Sequence, residues 1–145
     1  MNHVVLDANV CLDWFLPGSK PGSADYANAF AAYLNSQNVT LHVPIHFDLE
    51  MTGPLLKVFR AKTPGITEKA LNAALEAMDS LPLNFHASGL GFRQTTDMAR
   101  AYNLSIYDTP YFNLARAFGY ALATSDRGLL SAAKAWGVEV WAPGA

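Results

Sequence analysis

The stretch VVLDAN, residues 4–9, decides how the chain is read. Val4, Val5 and Leu6 are consecutive apolar residues of the kind that forms a strand covered on both faces, and they run straight into Asp7, Ala8 and Asn9. A carboxylate therefore leaves the C-terminal tip of a buried strand. Open parallel sheets bind ligands in the crevice beyond those tips, so Asp7 is a site candidate by position. The plainer reading makes Asp7 only the N-cap of the next helix. Its company along the chain separates the two.

Working outward, strands and helices alternate. Ala8 to Leu16 reads as a short helix stopped by Pro17-Gly18, followed by a loop, GSKPGS. Ser23 is placed to cap a second helix, about Ala24 to Asn38, with Tyr26, Ala27, Phe30, Ala31 and Leu34 at helical spacing. Val39 to Val43 is a brief strand ending in Pro44. A third helix, about Ile45 to Lys62, carries Glu50 among Phe47, Leu49, Met51, Leu55, Leu56, Val58 and Phe59, so it reads as largely buried and its carboxylate needs a partner. The alternative for Glu50 is partial exposure favoured by the helix dipole.

Thr63-Pro64-Gly65 breaks the pattern, and Thr67 caps a fourth helix whose inner face is Ala70, Leu71, Ala74, Leu75 and Met78. LNFH, residues 83–86, is a third strand; a fifth helix runs from Phe92 to Tyr102 and closes at Asn103, a residue suited to a left-handed cap. Ser105 to Gly119 reads as a helix with Asp108 and Pro110 in its first turn. ALATSD, residues 121–126, repeats the opening grammar of an apolar strand running into an acid. Arg127 to Trp136 is the last helix, Gly137 closes it, and VEVW supplies an edge strand. This alternation is that of an α/β fold in three α/β/α layers, with a central, largely parallel sheet of about five short strands. At 145 residues the chain has the length of one domain.

About half the residues are apolar, and 10 Lys+Arg stand against 12 Asp+Glu. The resulting net charge of −2 gives no global attraction to a polyanion, so any nucleic-acid site must be a local patch. Cys11, the single cysteine, lies in an apolar run and reads as a buried structural thiol in a reducing compartment. No stretch reaches the ~20 apolar residues of a membrane span, and the N-terminus has neither the basic nor the apolar region of a secretory signal. A soluble, cytoplasmic protein is expected.

Four carboxylates fall at strand ends or helix starts: Asp7, Glu50, Asp108 and Asp126. In a parallel α/β sheet these positions share one edge. Two carboxylates about 4 Å apart repel by roughly 4 kcal/mol at an effective dielectric near 20, so the group needs a cation or a bound proton. An oxygen-only donor set without a Cys/His cluster suits Mg²⁺ or Mn²⁺. Such a site suits phosphodiester hydrolysis, since a bound cation activates water and shields the phosphate. Asn9, Thr124 and Ser125 are neutral groups placed to orient the acids or a phosphate, and Arg127 is the nearest cation in sequence.

These residues resemble the PIN domain, in particular the VapC toxin ribonucleases of type II toxin–antitoxin pairs. VVLDAN is similar to the family's opening strand and first acid, Asp7; VPIHFDLE to the segment delivering Glu50; SIYDTPYFNLA to the helix start bearing Asp108; and LATSD to the T-x-D ending at Thr124 and Asp126. The resemblance implies one PIN domain over residues 1–145, an endoribonuclease using Mg²⁺ or Mn²⁺, an RNA substrate, a homodimer and a cognate VapB-like antitoxin. In two places the chain departs from the family pattern: Thr109-Pro110 follows the third acid, and Gly53-Pro54 lies inside the third helix, where it is expected to kink the helix and move Glu50.

Other residues carry weaker readings. Lys57, Arg60, Lys62, Arg93 and Arg116 are surface charges or phosphate contacts. Trp14, Phe15, Tyr107, Tyr111 and Phe112 are core residues, base-stacking platforms or antitoxin contacts, while His46 and His86 read as packing or surface residues. A catalytically weak module that binds RNA or protein on the same fold is the alternative to an enzyme. A haloacid-dehalogenase-type phosphatase wants a second Asp where this chain has Asn9, and a response-regulator receiver wants a lysine after a late strand; neither pattern is complete.

Overall fold

A computed structural model describes residues 2–16, 20–61 and 65–144. The elements run β1 (Asn2–Leu6), α1 (Ala8–Leu12), α2 (Ser23–Ser36), β2 (Val39–Pro44), α3 (Phe47–Arg60), α4 (Glu68–Asp79), β3 (Leu83–His86), α5 (Phe92–Tyr102), α6 (Thr109–Phe118), β4 (Ala121–Ala123) and α7 (Arg127–Trp136). The four strands form one parallel sheet in the order β3-β2-β1-β4. From β1 the chain passes to β2 on one side and later reaches β4 on the other. The C-terminal edge of β1 is thus the switch point at which α/β sheets hold ligands.

Val4, Val5 and Leu6 are all buried, so both faces of β1 are covered, as a parallel sheet requires. Helix α6 packs across β1, β2 and β4, and α5 and α7 pack against α6. Tyr111 and Phe112 lie in the core with Val10, Phe30, Leu122 and Leu129. The expected fifth strand is reduced to one parallel bridge, Leu122 to Val140. Leu122 exchanges two backbone hydrogen bonds with Glu139 and Trp141, and β4 itself, at three residues, offers no longer template.

Several helices are shorter than their sequence pattern. Helix α1 stops at Leu12, because Trp14 and Phe15 bond back three residues rather than four and tighten the chain into a turn. That turn lets the Trp14 indole donate to the Ala27 carbonyl of α2 at 2.7 Å. Ser23 is not a cap: Gly22, at φ 82°, precedes α2, and the Ser23 hydroxyl donates backward to Lys20 O. Residues 106–108 form a turn, so α6 starts only at Thr109. The Thr67 cap, the left-handed Asn103 and the left-handed Gly119 and Gly137 behave as their residue types dictate. The stop at Pro17-Gly18, the break at Thr63-Pro64 and the basic residue Lys62 lie outside the described residues.

Helix α3 is less buried than its apolar content suggests. Only Phe47, Met51 and Leu55, one turn apart, face the core, whereas Leu49 and Leu56 are exposed. Pro54 sits inside α3 and the helix continues to Arg60. Pro54 has no N–H to give the Glu50 carbonyl, yet Glu50 N still bonds His46 O, so the turn carrying Glu50 stays helical. On α4 only Ala74 is buried.

Three histidines on neighbouring strands form a chain: His3 Nδ1 lies 2.9 Å from His42 Nε2, and His42 Nδ1 lies 2.8 Å from His86 Nε2. Tyr120 stacks on His3 and His42, with ring centroids 4.8 and 4.4 Å away. Buried His42 must remain neutral, donating through one nitrogen and accepting through the other. Burial first, then His86 and His3, lower its pKa from 6.5 to about 4. Above pH 6.5 the group is neutral both folded and unfolded and contributes no pH dependence. Below it the unfolded chain takes up a proton that the folded chain refuses, so stability is lost as pH falls toward 4. In denaturant titrations, wild type is expected to weaken relative to His42→Gln by up to about 3 kcal/mol between pH 7 and 4; a constant difference would contradict this.

Candidate active site

Asp7 follows β1, and Thr124, Ser125 and Asp126 follow β4, the strand paired with it. Asp7 N bonds Ala123 O at 3.0 Å, extending the ladder one residue past the strand ends. The Asp7 side chain is 2% exposed. Its Oδ2 accepts the Thr124 hydroxyl at 2.7 Å, and its Oδ1 meets Asn9 N at 3.5 Å, the outer limit of a hydrogen bond. Asp7 is thus both a weak cap of α1 and a member of the site. Thr124 Oγ1 also accepts Asp126 N at 3.0 Å, so one hydroxyl orients both acids. Asp126 Oδ2 caps α7 through Leu129 N at 2.9 Å, and its Oδ1 faces Lys20 Nζ at 3.9 Å.

The other two acids arrive from α3 and α6. Glu50 Oε1 accepts the buried Tyr111 hydroxyl at 2.7 Å and stands 2.9 Å from His46 Nε2, one helical turn earlier. The same His46 nitrogen lies 3.0 Å from Tyr107 O. Burial and the Glu50 carboxylate push the Tyr111 hydroxyl well above its ordinary pKa, which keeps it a donor. Asp108 sits at the N-cap position of α6, but its side chain makes no cap bond; its backbone N–H is taken by Ser105 Oγ.

Asp7 and Asp108 each feel neighbouring acids. Burial raises the Asp7 pKa from 3.8 to about 7; Thr124 opposes the rise, and Asp108 and Asp126 add to it. Asp108 is raised by burial, then by Asp126 and Glu50. Carboxylates from β1, α3, α6 and β4 therefore share one electrostatic site at the sheet's C-terminal edge. Among the described residues, no three acidic, imidazole or thiol groups stand close enough to hold one ion as they are. The donors nonetheless suit a hard divalent cation: they are oxygens, and a buried carboxylate with a pKa near 7 is short of positive charge.

No family model matches the chain. Ribonuclease VapC3 of Mycobacterium tuberculosis, strains CDC 1551 / Oshkosh and H37Rv, is 32% identical over 134 residues, 92% of this chain and 88% of that protein. The chain belongs to the VapC family of PIN-domain ribonucleases. Two solved structures share its fold: PAE2754 from Pyrobaculum aerophilum, at TM-score 0.59 over 90% of this chain and 84% of that one, and FitAcB from Neisseria gonorrhoeae, at 0.57 over 97% of both. Both are 18% identical to it.

In this VapC relative hydrogen bonds join Asp7, Thr124 and Asp126, Asp108 lies within electrostatic reach of Asp7 and Asp126, and Glu50 within that of Asp108. Asn9 is exposed, and its backbone rather than its side chain meets Asp7. Arg127, although next to Asp126, starts α7 as an exposed residue, and the cation facing Asp126 is Lys20. Sequence reasoning missed Lys20, His46 and the role of Tyr111. His46 is readable afterwards from its i, i+4 spacing to Glu50; Lys20 has no local signal.

The raised pKa of Asp7 makes a stability prediction for chelator-treated protein. The folded state holds the Asp7 proton more tightly than the unfolded state, so this contribution is full below pH 3.8 and is lost as pH rises through 7. Asp7→Asn removes the dependence. Relative to wild type, the variant is expected to gain up to about 4 kcal/mol between pH 4 and 8 in denaturant titrations; no change in the gap would contradict the burial argument.

Proposed function

We propose that the chain is a metal-dependent endoribonuclease hydrolysing RNA phosphodiester bonds, and the toxin of a toxin–antitoxin pair. The observation that carries this reading is that Asp108 and Asp126 raise Asp7 while Asp126 and Glu50 raise Asp108, in a chain related to a ribonuclease over 92% of its length. Asp7, Asp108, Asp126 and Glu50 would hold Mg²⁺ or Mn²⁺, which when bound lowers the pKa of water and shields phosphate charge.

The chain's own residues supply the positioning. The Thr124 hydroxyl holds Asp7 and, by accepting Asp126 N, the start of the turn that presents Asp126. Tyr111 and His46 converge on Glu50 Oε1, which turns Oε2 into the oxygen available to accept a proton from the attacking water. Lys20 places a positive charge beside Asp126, where an RNA phosphate would otherwise meet only acids.

The exposed apolar side chains Ile45, Leu49, Phe92, Ile106 and Tyr107 support a second part of the reading, a homodimer bound by a VapB-like antitoxin. No helix among the described residues is long and apolar enough to cross a membrane; the site of action proposed here is the cytoplasm.

Cleavage of single-stranded RNA by the purified chain is expected with Mn²⁺ or Mg²⁺ and is abolished by chelation. Asp7→Asn and Asp126→Asn are each expected to lower kcat/KM at least about 100-fold while remaining folded; full activity in both would sink the mechanism. RNA binding without cleavage at any divalent concentration would return the binding-module alternative. Tyr111→Phe, which deletes one donor to Glu50, is expected to lower kcat by about 10-fold with KM little changed.

A further inference from the structure

A cavity of about 670 Å³ opens beside the acids, between the start of α2, the β4–α7 turn and the C-terminal segment. Its wall is continuous with the acidic site through a chain of hydrogen bonds. The Tyr26 hydroxyl donates to Trp141 O at 2.8 Å and accepts Thr124 N at 3.1 Å, and the Thr124 hydroxyl donates to Asp7 at 2.7 Å. A ligand in this cavity would thus lie one residue from the reacting centre.

The lining has the opposite charge to its neighbour. Lys20 and Arg127 both contribute to it, and among the described residues no carboxylate does. The acids that face Lys20 stand outside: Asp126 at 3.9 Å, and Asp13, whose carboxyl Lys20 influences. Among the described residues no carboxylate pairs with Arg127, which is exposed. Ser125 adds a hydroxyl. A cationic cavity against a carboxylate site suits a ligand that is anionic at one end, such as a phosphate kept clear of the acids.

The floor is apolar. Leu130 and Trp141 line it, and the Trp141 ring is held in T-shaped contact with the rings of Phe30 and Tyr26 at centroid distances of 4.9 and 5.4 Å. A half-buried, immobilised indole is a platform on which an unpaired base stacks without sequence preference. The volume is that of a small-molecule site, ample for one nucleotide. Bases paired in a duplex cannot turn into such a cavity without unstacking.

We propose that this cavity is a subsite for one nucleotide of single-stranded RNA beside the scissile phosphate, with Lys20 and Arg127 on the flanking phosphate and Trp141 with Leu130 under the base. This rests on the ribonuclease reading. The test uses the full chain and a short fluorescein-labelled single-stranded RNA, with affinity measured by anisotropy in chelator and KM for the same RNA in Mn²⁺. Arg127→Ala is expected to weaken binding and raise KM about 10-fold and to reduce the slope of log affinity against log salt by about one. Arg127→Lys should restore the slope. Leu130→Asp, which puts an acid in the cavity, should weaken binding at least as much, whereas Lys134→Ala on the exposed side of α7 should bind as wild type does. An unlabelled duplex of the same sequence should compete poorly.

Wild-type affinity and KM in both Arg127→Ala and Leu130→Asp, in protein that cleaves RNA, would overturn the subsite and leave the ribonuclease reading standing. Equal competition by duplex would overturn the base-stacking part. A wild-type chain that neither binds nor cleaves RNA would remove the ribonuclease reading and the subsite with it.

Discussion

The Thr124 hydroxyl, donating to the buried carboxylate of Asp7 at 2.7 Å, is the contact on which the site depends. It ties the residue after β1 to the residue after β4, and the same oxygen accepts Asp126 N. Without it Asp7 would keep only a marginal bond from Asn9 N at 3.5 Å, in a place where burial and two neighbouring acids already disfavour its charge. A threonine is suited to this because its hydroxyl both donates and accepts while its methyl packs in the core. Serine offers the same hydroxyl with less packing, and valine keeps the shape but leaves both acids without their shared partner.

The sheet makes that contact possible. Parallel pairing of β1 with β4 puts two strand tips side by side at the switch point, and α6 lies across both strands to bring Asp108 to the same edge. Glu50 comes from farther off, on a helix that faces the core through Phe47, Met51 and Leu55. Tyr111 bridges the difference: its ring is buried under the sheet while its hydroxyl reaches Glu50, so packing of α6 and orientation of an acid on α3 are one interaction. A folded chain that concentrates carboxylates at one edge gives up stability there. The core of Val5, Leu6, Phe30, Phe112, Leu122 and Leu129 offsets the loss through apolar burial.

The sequence made the strands and the acids legible for a physical reason. A strand buried on both faces must be continuously apolar, so VVL and ALA stand out, and an acid soon after each, Asp7 at once and Asp126 three residues on, breaks the pattern. Caps read correctly where one residue type fills one backbone need, as with Thr67, Asn103 and Gly119. The pattern misled where burial depends on tertiary neighbours: α3 read as largely buried and faces the core on one stripe. Lys20 could not be read at all, because its proximity to Asp126 joins residues 106 apart in the chain through a loop of no local pattern. The histidine chain is equally long-range, set by the register of three strands rather than by spacing within one.

The central claim is that acids from four elements make one cation site, and titration calorimetry with Mn²⁺ tests it most directly. Saturable binding is expected in wild type, with loss of at least about 10-fold in affinity for each of Asp7→Asn, Asp108→Asn and Asp126→Asn. Absence of Mn²⁺ binding in folded wild-type protein, or undiminished binding in all three variants, would contradict it.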